Sequence, residues 1–474
     1  MRALGTRGYR NKRTGLPVLV LVLALSLFLS LCVLPTPASD TNPTSDWQKT
    51  EYSPVSGTGQ NGRGLAFGDV NGDGYDDLIV GSPDYRNTNQ QNLDSEVGIV
   101  RIYLSSTSGL VSTAFWESPV TPPPNAPSDR LGNSIAAGDI DGDEVDEFLV
   151  AERPMFSPQV HLYDGFEGTP TPTDPAWSCG GFFGPYLKTP LVHMADLNGD
   201  DKDDAIITSG GSTTYAPAVH VFYGSSGGLA ASADWSDDFG GVAVSVFSIP
   251  AGAADVNGDG KDDLLFSSEN DSVFYVYHGA VAGLGADPTY TITQGDGYYG
   301  RAVAGAGDVN NDGYEDVVIN WKSTESFGPT EVYVYFGSAQ GLQNFDRKQL
   351  SGGAETTYWG STVGSAGHFN DDAFADVIVG GSFGELVIMY FGAENAATVG
   401  FLNTQNYTCS PSDGVADFGY SMAFGNTFGH HRGGNDIAIG APDDGSRDEG
   451  TAYAYYGHHP PPPPRPEGIW LIVR

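Results

Sequence analysis

Residues 68–82 read GDVNGDGYDDLIVGS. Asp69, Asn71, Asp73 and Asp77 stand at loop positions 1, 3, 5 and 9, with Gly74 at position 6 and Tyr75 at position 7. Oxygen donors two residues apart turn inward together when glycine permits a tight bend, and the position 7 carbonyl completes a set suited to six- or seven-coordinate Ca²⁺. Without a cation, carboxylates ~4 Å apart would repel by about 4 kcal/mol per pair at an effective dielectric near 20. An EF-hand loop would need an acid at position 12 and a helix on each side. Val80 stands there, inside a β-branched run, so this loop joins strands.

Outward from this stretch the same phrase recurs, which makes the repeat the first organising fact of the chain. It appears as GDIDGDEVDEFLVAE from Gly138, ADLNGDDKDDAIITS from Ala195, ADVNGDGKDDLLFSS from Ala254 and GDVNNDGYEDVVIN from Gly307. Expected calcium ligands are therefore Asp69, Asn71, Asp73, Tyr75 and Asp77 in the first loop, and Asp139, Asp141, Asp143, Val145 and Glu147 in the second. The third offers Asp196, Asn198, Asp200, Lys202 and Asp204, the fourth Asp255, Asn257, Asp259, Lys261 and Asp263, and the fifth Asp308, Asn310, Asp312, Tyr314 and Asp316. Position 7 enters each set through its carbonyl. Glu144 and Asp201 replace the position 6 glycine, yet both loops keep their oxygens. A sixth copy has His368 at position 1 and Ala373 at position 6, and a hard cation disfavours imidazole, so it is expected to be empty. A seventh, from Gly425, has Phe428 and His430 at ligand positions and is expected to be empty as well.

Each unit has one internal order: a small-residue apolar stretch, the acidic loop, a β-branched run, an alternating strand ending in a glycine-rich turn, and a short strand bearing Trp116, Trp177, Trp235 or Tyr290. Four short strands per unit without helical periodicity predict an all-β fold, a seven-bladed β-propeller of four-stranded antiparallel blades. The seventh unit stops at Gly457 without its fourth strand, while Asp46-Trp47 mirrors Asp234-Trp235. An N-terminal strand is thus expected to complete blade seven and remove an exposed sheet edge.

Three segments follow: a leader over residues 1–38, the propeller over 44–457 and a proline-rich tail over 458–474. The leader places Arg2, Arg7, Arg10, Lys12 and Arg13 before an apolar run from Leu16 to Leu34 and a small-residue site at Ala38. Cleavage there gives a secreted protein; retention gives a cell-surface anchor, the only route by which a membrane would be a partner. The net charge of -37 would repel phosphate backbones and excludes nucleic acid as a partner. Nearly half of the 59 acids lie in the repeated loops, where a general halophilic adaptation would spread them. Three cysteines exclude a disulfide scaffold, and Cys179 and Cys409 fall in non-adjacent units, as isolated thiols would. His430-His431 and His458-His459 show no third ligand for zinc. Five prolines from Pro460 predict a stiff extended spacer.

With loops, blades and terminal strands located, the chain resembles the FG-GAP repeat family, the propeller of integrin α-subunit heads and of many secreted microbial proteins. The family's phrases survive at Phe418-Gly419, Gly440-Ala441-Pro442, Leu131-Gly132, Tyr299-Gly300, Trp359-Gly360 and Gly81-Ser82-Pro83. The resemblance implies calcium on the bottom face, where it stiffens the ring, and ligands on the top face. It implies an exported binding or adhesion module for an extracellular protein or glycan; a lectin-like propeller is the alternative, and a propeller-borne polysaccharide-processing enzyme is the third class. No Ser/His/Asp or paired-carboxylate constellation stands apart from the loop acids, so no enzyme is expected. Tyr85 and Arg86 in the longest excursion, and Trp321-Lys322 in blade five, are the top-face recognition candidates, with packing between blades the other reading of Trp321.

Overall fold

A computed structural model describes residues 45–50, 60–86, 96–119, 130–152, 158–166, 174–180, 190–210, 216–238, 251–268, 273–293, 297–323, 330–343, 346–350, 359–381, 386–394, 407–409, 417–427, 435–443 and 450–457. The leader, Phe428, His430-His431 and the proline-rich tail lie outside these residues.

The described residues form seven four-stranded antiparallel sheets and no helix. Blade one comprises Gly64–Gly68, Asp77–Ser82, Ile99–Tyr103 and Trp116–Glu117; blade two Ser134–Gly138, Glu147–Ala151, Gln159–Tyr163 and Trp177–Gly180. Blade three comprises Leu191–Ala195, Asp204–Ser209, Ala218–Phe222 and Trp235–Asp237; blade four Ala251–Ala254, Asp263–Ser268, Val273–Tyr277 and Tyr290–Thr293. Blade five comprises Gly297–Gly307, Asp316–Ser323, Thr330–Tyr335 and Arg347–Leu350; blade six Thr362–Gly367, Asp376–Gly380, Val387–Tyr390 and Tyr407–Cys409. Blade seven takes Ser421–Gly425, Asp436–Ala441 and Thr451–Tyr455 from the end of the chain and Trp47–Thr50 from its start.

The second strand of each blade is buried on both faces, as in Asp77–Ser82 and Asp204–Ser209, because a neighbouring blade covers each side. Such strands read as continuous apolar runs, whereas a strand with one wet face would alternate. Seven hydrophobic clusters result, one at each blade junction. The last joins Trp47, Ala452 and Ala454 of blade seven to Leu65, Leu78 and Tyr103 of blade one.

That junction closes the ring. Trp47 pairs with Ala454 and Thr50 with Thr451 in antiparallel register. The mirrored Asp-Trp dipeptides have equivalent contacts: the Tyr456 amide donates to Asp46 at 2.8 Å and the Tyr223 amide to Asp234 at 3.0 Å. Aromatic residues of the outer strands cross the junctions edge-on. Trp47 meets Tyr103, Trp116 meets Phe148 and Tyr163, Trp177 meets Phe222, and Trp235 meets Tyr277, with centroids 4.9–5.6 Å apart. The indoles of Trp177 and Trp235 also donate to carbonyls of the next blade's glycine-rich turn, Ala230 and Gly285.

Cys179 and Cys409 are unpaired and buried in different junctions, and burial pushes the Cys179 thiol up to about 12. Trp321 belongs to the second strand of blade five, pairs with Glu331 and packs half-buried against the cluster between blades four and five. Packing, rather than display on a loop, is its observed role. Tyr85 lies beneath the Arg101 guanidinium, 5.2 Å from its ring centroid, and Arg86 pairs with Glu96 at 2.7 Å.

Candidate metal centres on the loops joining first and second strands

All five intact loops join the first strand of a blade to its second, and one residue organises each of them. The position 1 carboxylate accepts backbone amides from further along its own loop. Asp69 accepts those of Asp73 and Gly74; Asp139 those of Gly142, Asp143 and Glu144; Asp196 those of Gly199, Asp200 and Asp201. Asp255 and Asp308 repeat the pattern. Position 5 then accepts the position 7 amide, Tyr75 to Asp73, Val145 to Asp143 and Tyr314 to Asp312. These bonds wrap the backbone so that the oxygens converge.

In blade two, carboxylate oxygens of Asp139, Asp141 and Glu147 all lie within 4.8 Å of one another. The bend at position 6 requires a left-handed residue. Gly74, Gly260 and Gly313 supply it in three loops, while Glu144 and Asp201 adopt it at φ 68° and 62° despite their side chains. Both substituted loops therefore keep the geometry of the glycine loops.

Two oxygens in this set are buried with no hydrogen-bond partner, Asp141 Oδ1 in the second loop and Asn310 Oδ1 in the fifth. A buried acceptor left unpaired costs about 1–3 kcal/mol. Both belong to position 3, which a cation at the centre of the loop would contact, so the donor set fits a hard divalent ion. The acids are also mutually unfavourable. Burial, with the Coulombic push of Asp73 and Asp69, raises Asp77 to about 8. Burial raises Glu147 to about 8 and both Asp204 and Asp263 to about 7, with loop acids adding to each, and holds Asp316 well above the ordinary range.

The sixth loop is wired differently. His368 has no carboxylate to offer, and its Nδ1 donates to the carbonyl of Phe374, position 7, at 3.0 Å. That bond occupies the carbonyl at position 7, which the calcium expectation assigns as a ligand. In the seventh loop Asn426, Thr427, Asn435 and Asp436 are described, and residues 428–434 between them lie outside the described residues.

Position 9 has a structural task that the calcium expectation obscured in the sequence. In six blades its carboxylate accepts the amide just beyond the third strand: Ser105 to Asp77, Gly224 to Asp204, Gly279 to Asp263, Gly337 to Asp316, Gly392 to Asp376 and Gly457 to Asp436. Asp376 and Asp436 keep this bond in the two degenerate loops, so it does not require a complete set of loop oxygens.

Position 8 was missed altogether. Asp146 accepts the Asp69 amide at 2.7 Å and returns its own amide to the Asp69 carbonyl at 3.0 Å, linking the second loop to the first. Asp203 does the same to Asp139, Glu315 to Asp255, and Asp76 to Asn426 of blade seven. Beside an acid at position 9, an acid at position 8 reads as one more surface charge; only the ring reveals which neighbour it meets.

The structure also assembles Ser178, His161 and Glu152, with Nδ1 of His161 2.7 Å from Ser178 Oγ and Nε2 2.9 Å from Glu152. His220 and Ser236 repeat the first contact at the same register in blade three, at 2.8 Å. Recurrence at one register marks a cross-strand pair of the outer strands rather than a catalytic centre.

Comparisons with known proteins agree with the repeat. The FG-GAP repeat family matches residues 61–94, and the FG-GAP-like repeat family matches residues 255–319. Integrin alpha-8 of Mus musculus is 29% identical over 191 residues, covering 35% of this chain and 18% of that protein. Integrin alpha-IIb of Homo sapiens is 30% identical over 164 residues, covering 31% and 16%. The chain thus spans less than a fifth of the length of these relatives. Among solved structures, an exotype rhamnogalacturonan lyase, YesX, aligns with a TM-score of 0.44 at 12% identity, over 87% of this chain and 76% of that one.

Proposed function

We propose that this integrin-alpha-like FG-GAP propeller is an exported binding module in which five loop-bound calcium ions stiffen the ring while an extracellular protein or glycan is recognised elsewhere on it. The observation that carries the calcium half is the set of inward oxygens, with Asp141 Oδ1 and Asn310 Oδ1 buried and unpaired at equivalent positions of two different loops. In each intact loop the residues at positions 1, 3, 5 and 9 and the position 7 carbonyl would hold the ion, which would supply positive charge to acids that burial and mutual repulsion disfavour. The sixth loop is read as empty because His368 closes it on Phe374.

The binding half draws support from the likeness to integrin alpha chains. The leader pattern of residues 1–38 supports a location outside the cytoplasm in this reading. The calcium loops lie at one end of the blades, and the connections from second to third strand open at the other, where a partner would dock. A glycan array and a pull-down on extracellular surface proteins, each with and without calcium, test this half. Binding of one class that survives Asp259→Ala is the expected result. Loss of binding by that variant at unchanged stability would place calcium in the recognition site itself.

A further inference from the structure

Position 8 forms a nearly complete chain of contacts around the ring, always directed at the preceding blade. Asp76, Asp146, Asp203 and Glu315 accept the position 1 amide of the loop before them, and Asn435 Oδ1 accepts that of His368 at 2.8 Å. Asp262 makes the corresponding contact with Asp196. Blade six breaks the series: Ala375 donates its amide to the Asp308 carbonyl at 3.0 Å, but has no acceptor for the Asp308 amide. A Cβ on Gly68 or Gly138 would fall 2.8 or 2.3 Å from the clamping carboxylate oxygen of Asp146 or Asp203, while Ala195 and Ala254 stand at the same place in the third and fourth loops and the contact is kept.

We propose that position 8 is a positioning residue for the cation site of the preceding blade, so that each calcium loop is held in its liganding shape by the next blade, and the fifth site, facing Ala375, lacks this support. The proposal rests on the calcium reading above. Position 1 is the residue whose carboxylate gathers the loop amides, and its own backbone is what position 8 grips from both sides through one accepted and one donated bond. An isolated loop would have to pay the ordering entropy at binding; a clamped one has already met it. Asn435 makes the same contact without charge, so an acceptor rather than a negative field is what the geometry demands.

Crystals of the full chain grown over a series of terbium concentrations, read by anomalous scattering at each loop, separate the sites. Asp146→Ala should raise the terbium concentration for half-occupancy at the Asp69 loop about tenfold, the scale of one lost charge-assisted hydrogen bond, while leaving its own Asp139 loop within about twofold. Asp146→Asn should restore the Asp69 loop. The gain-of-contact variant Ala375→Asp should tighten the Asp308 loop, and it remains informative if Asp146→Ala fails to fold. Equal losses at both loops, an unchanged Asp69 loop, or an Asn variant as weak as the Ala variant would overturn the proposal. Absence of terbium from every loop of the unsubstituted chain would instead overturn the calcium reading on which it rests.

Discussion

Asp436 and Asp259 carry the same side chain in equivalent loops, yet they do different work. Asp436 is fully buried, accepts the Thr427 and Gly457 amides, and sits in a loop whose other ligand positions have eroded. Asp259 is a half-exposed position 5 acid in an intact loop. Asp436→Ala should therefore cost about 1.5–3 kcal/mol in denaturant titrations whether or not calcium is present, whereas Asp259→Ala should cost stability only with calcium. A histidine supplies the pH dependence at this scale. Burial pushes His193, on the first strand of blade three, down to about 4. The unfolded chain takes up this proton near pH 6.5 and the folded protein does so only near 4, so the contribution of His193 to stability falls as pH drops through that window, opposite in sign to that of the raised loop acids. His193 retains intermediate exposure, which moderates the loss. His193→Gln should therefore raise the urea midpoint at pH 5 relative to the unsubstituted protein by more than it does at pH 7. The repeated loops and their place between strands were legible from spacing, because the same acidic phrase with a position 6 bend recurs before each β-branched run. The partner of position 8 was not, because it lies on another blade some sixty residues away.

The element that decides closure is the strand Trp47–Thr50. Its register with Thr451–Tyr455 covers an edge that would otherwise present unpaired amides and carbonyls. Removing residues 45–50 should expose that edge and the cluster around Tyr103, and light scattering should then detect more self-association than in the intact chain measured alongside. This strand could be foreseen because Asp46-Trp47 repeats the dipeptide of another unit's fourth strand. The outer aromatics are the second test. Trp116→Ala removes contacts to Phe148 and Tyr163 at centroid distances of 5.5 and 5.6 Å and should lower stability by about 3–5 kcal/mol, measured by chemical denaturation. Trp321 shows the limit of such reasoning. In the sequence it stands just beyond a β-branched run, where a strand end and a recognition loop look alike, and only the pairing with Glu331 decides between them.

At the scale of the whole molecule, seven junctions of similar construction share one ring, so unfolding any blade removes one wall from each of its two neighbours. The propeller is expected to melt as one unit, and its acids make that unit conditional. The loops gather carboxylates at one end of the blades, where burial and mutual repulsion hold several of them near neutral pKa values in the absence of a cation. Five ions, each saturating at 100 times its dissociation constant, would stabilise the fold by about 2.7 kcal/mol apiece. Differential scanning calorimetry of the full chain, in chelator and then in excess calcium, is the direct measurement. A midpoint lowered by roughly 10 °C or more in chelator and restored by calcium is the predicted result. A midpoint that stays within about 1 °C under both conditions would contradict the assignment of these loops as calcium sites.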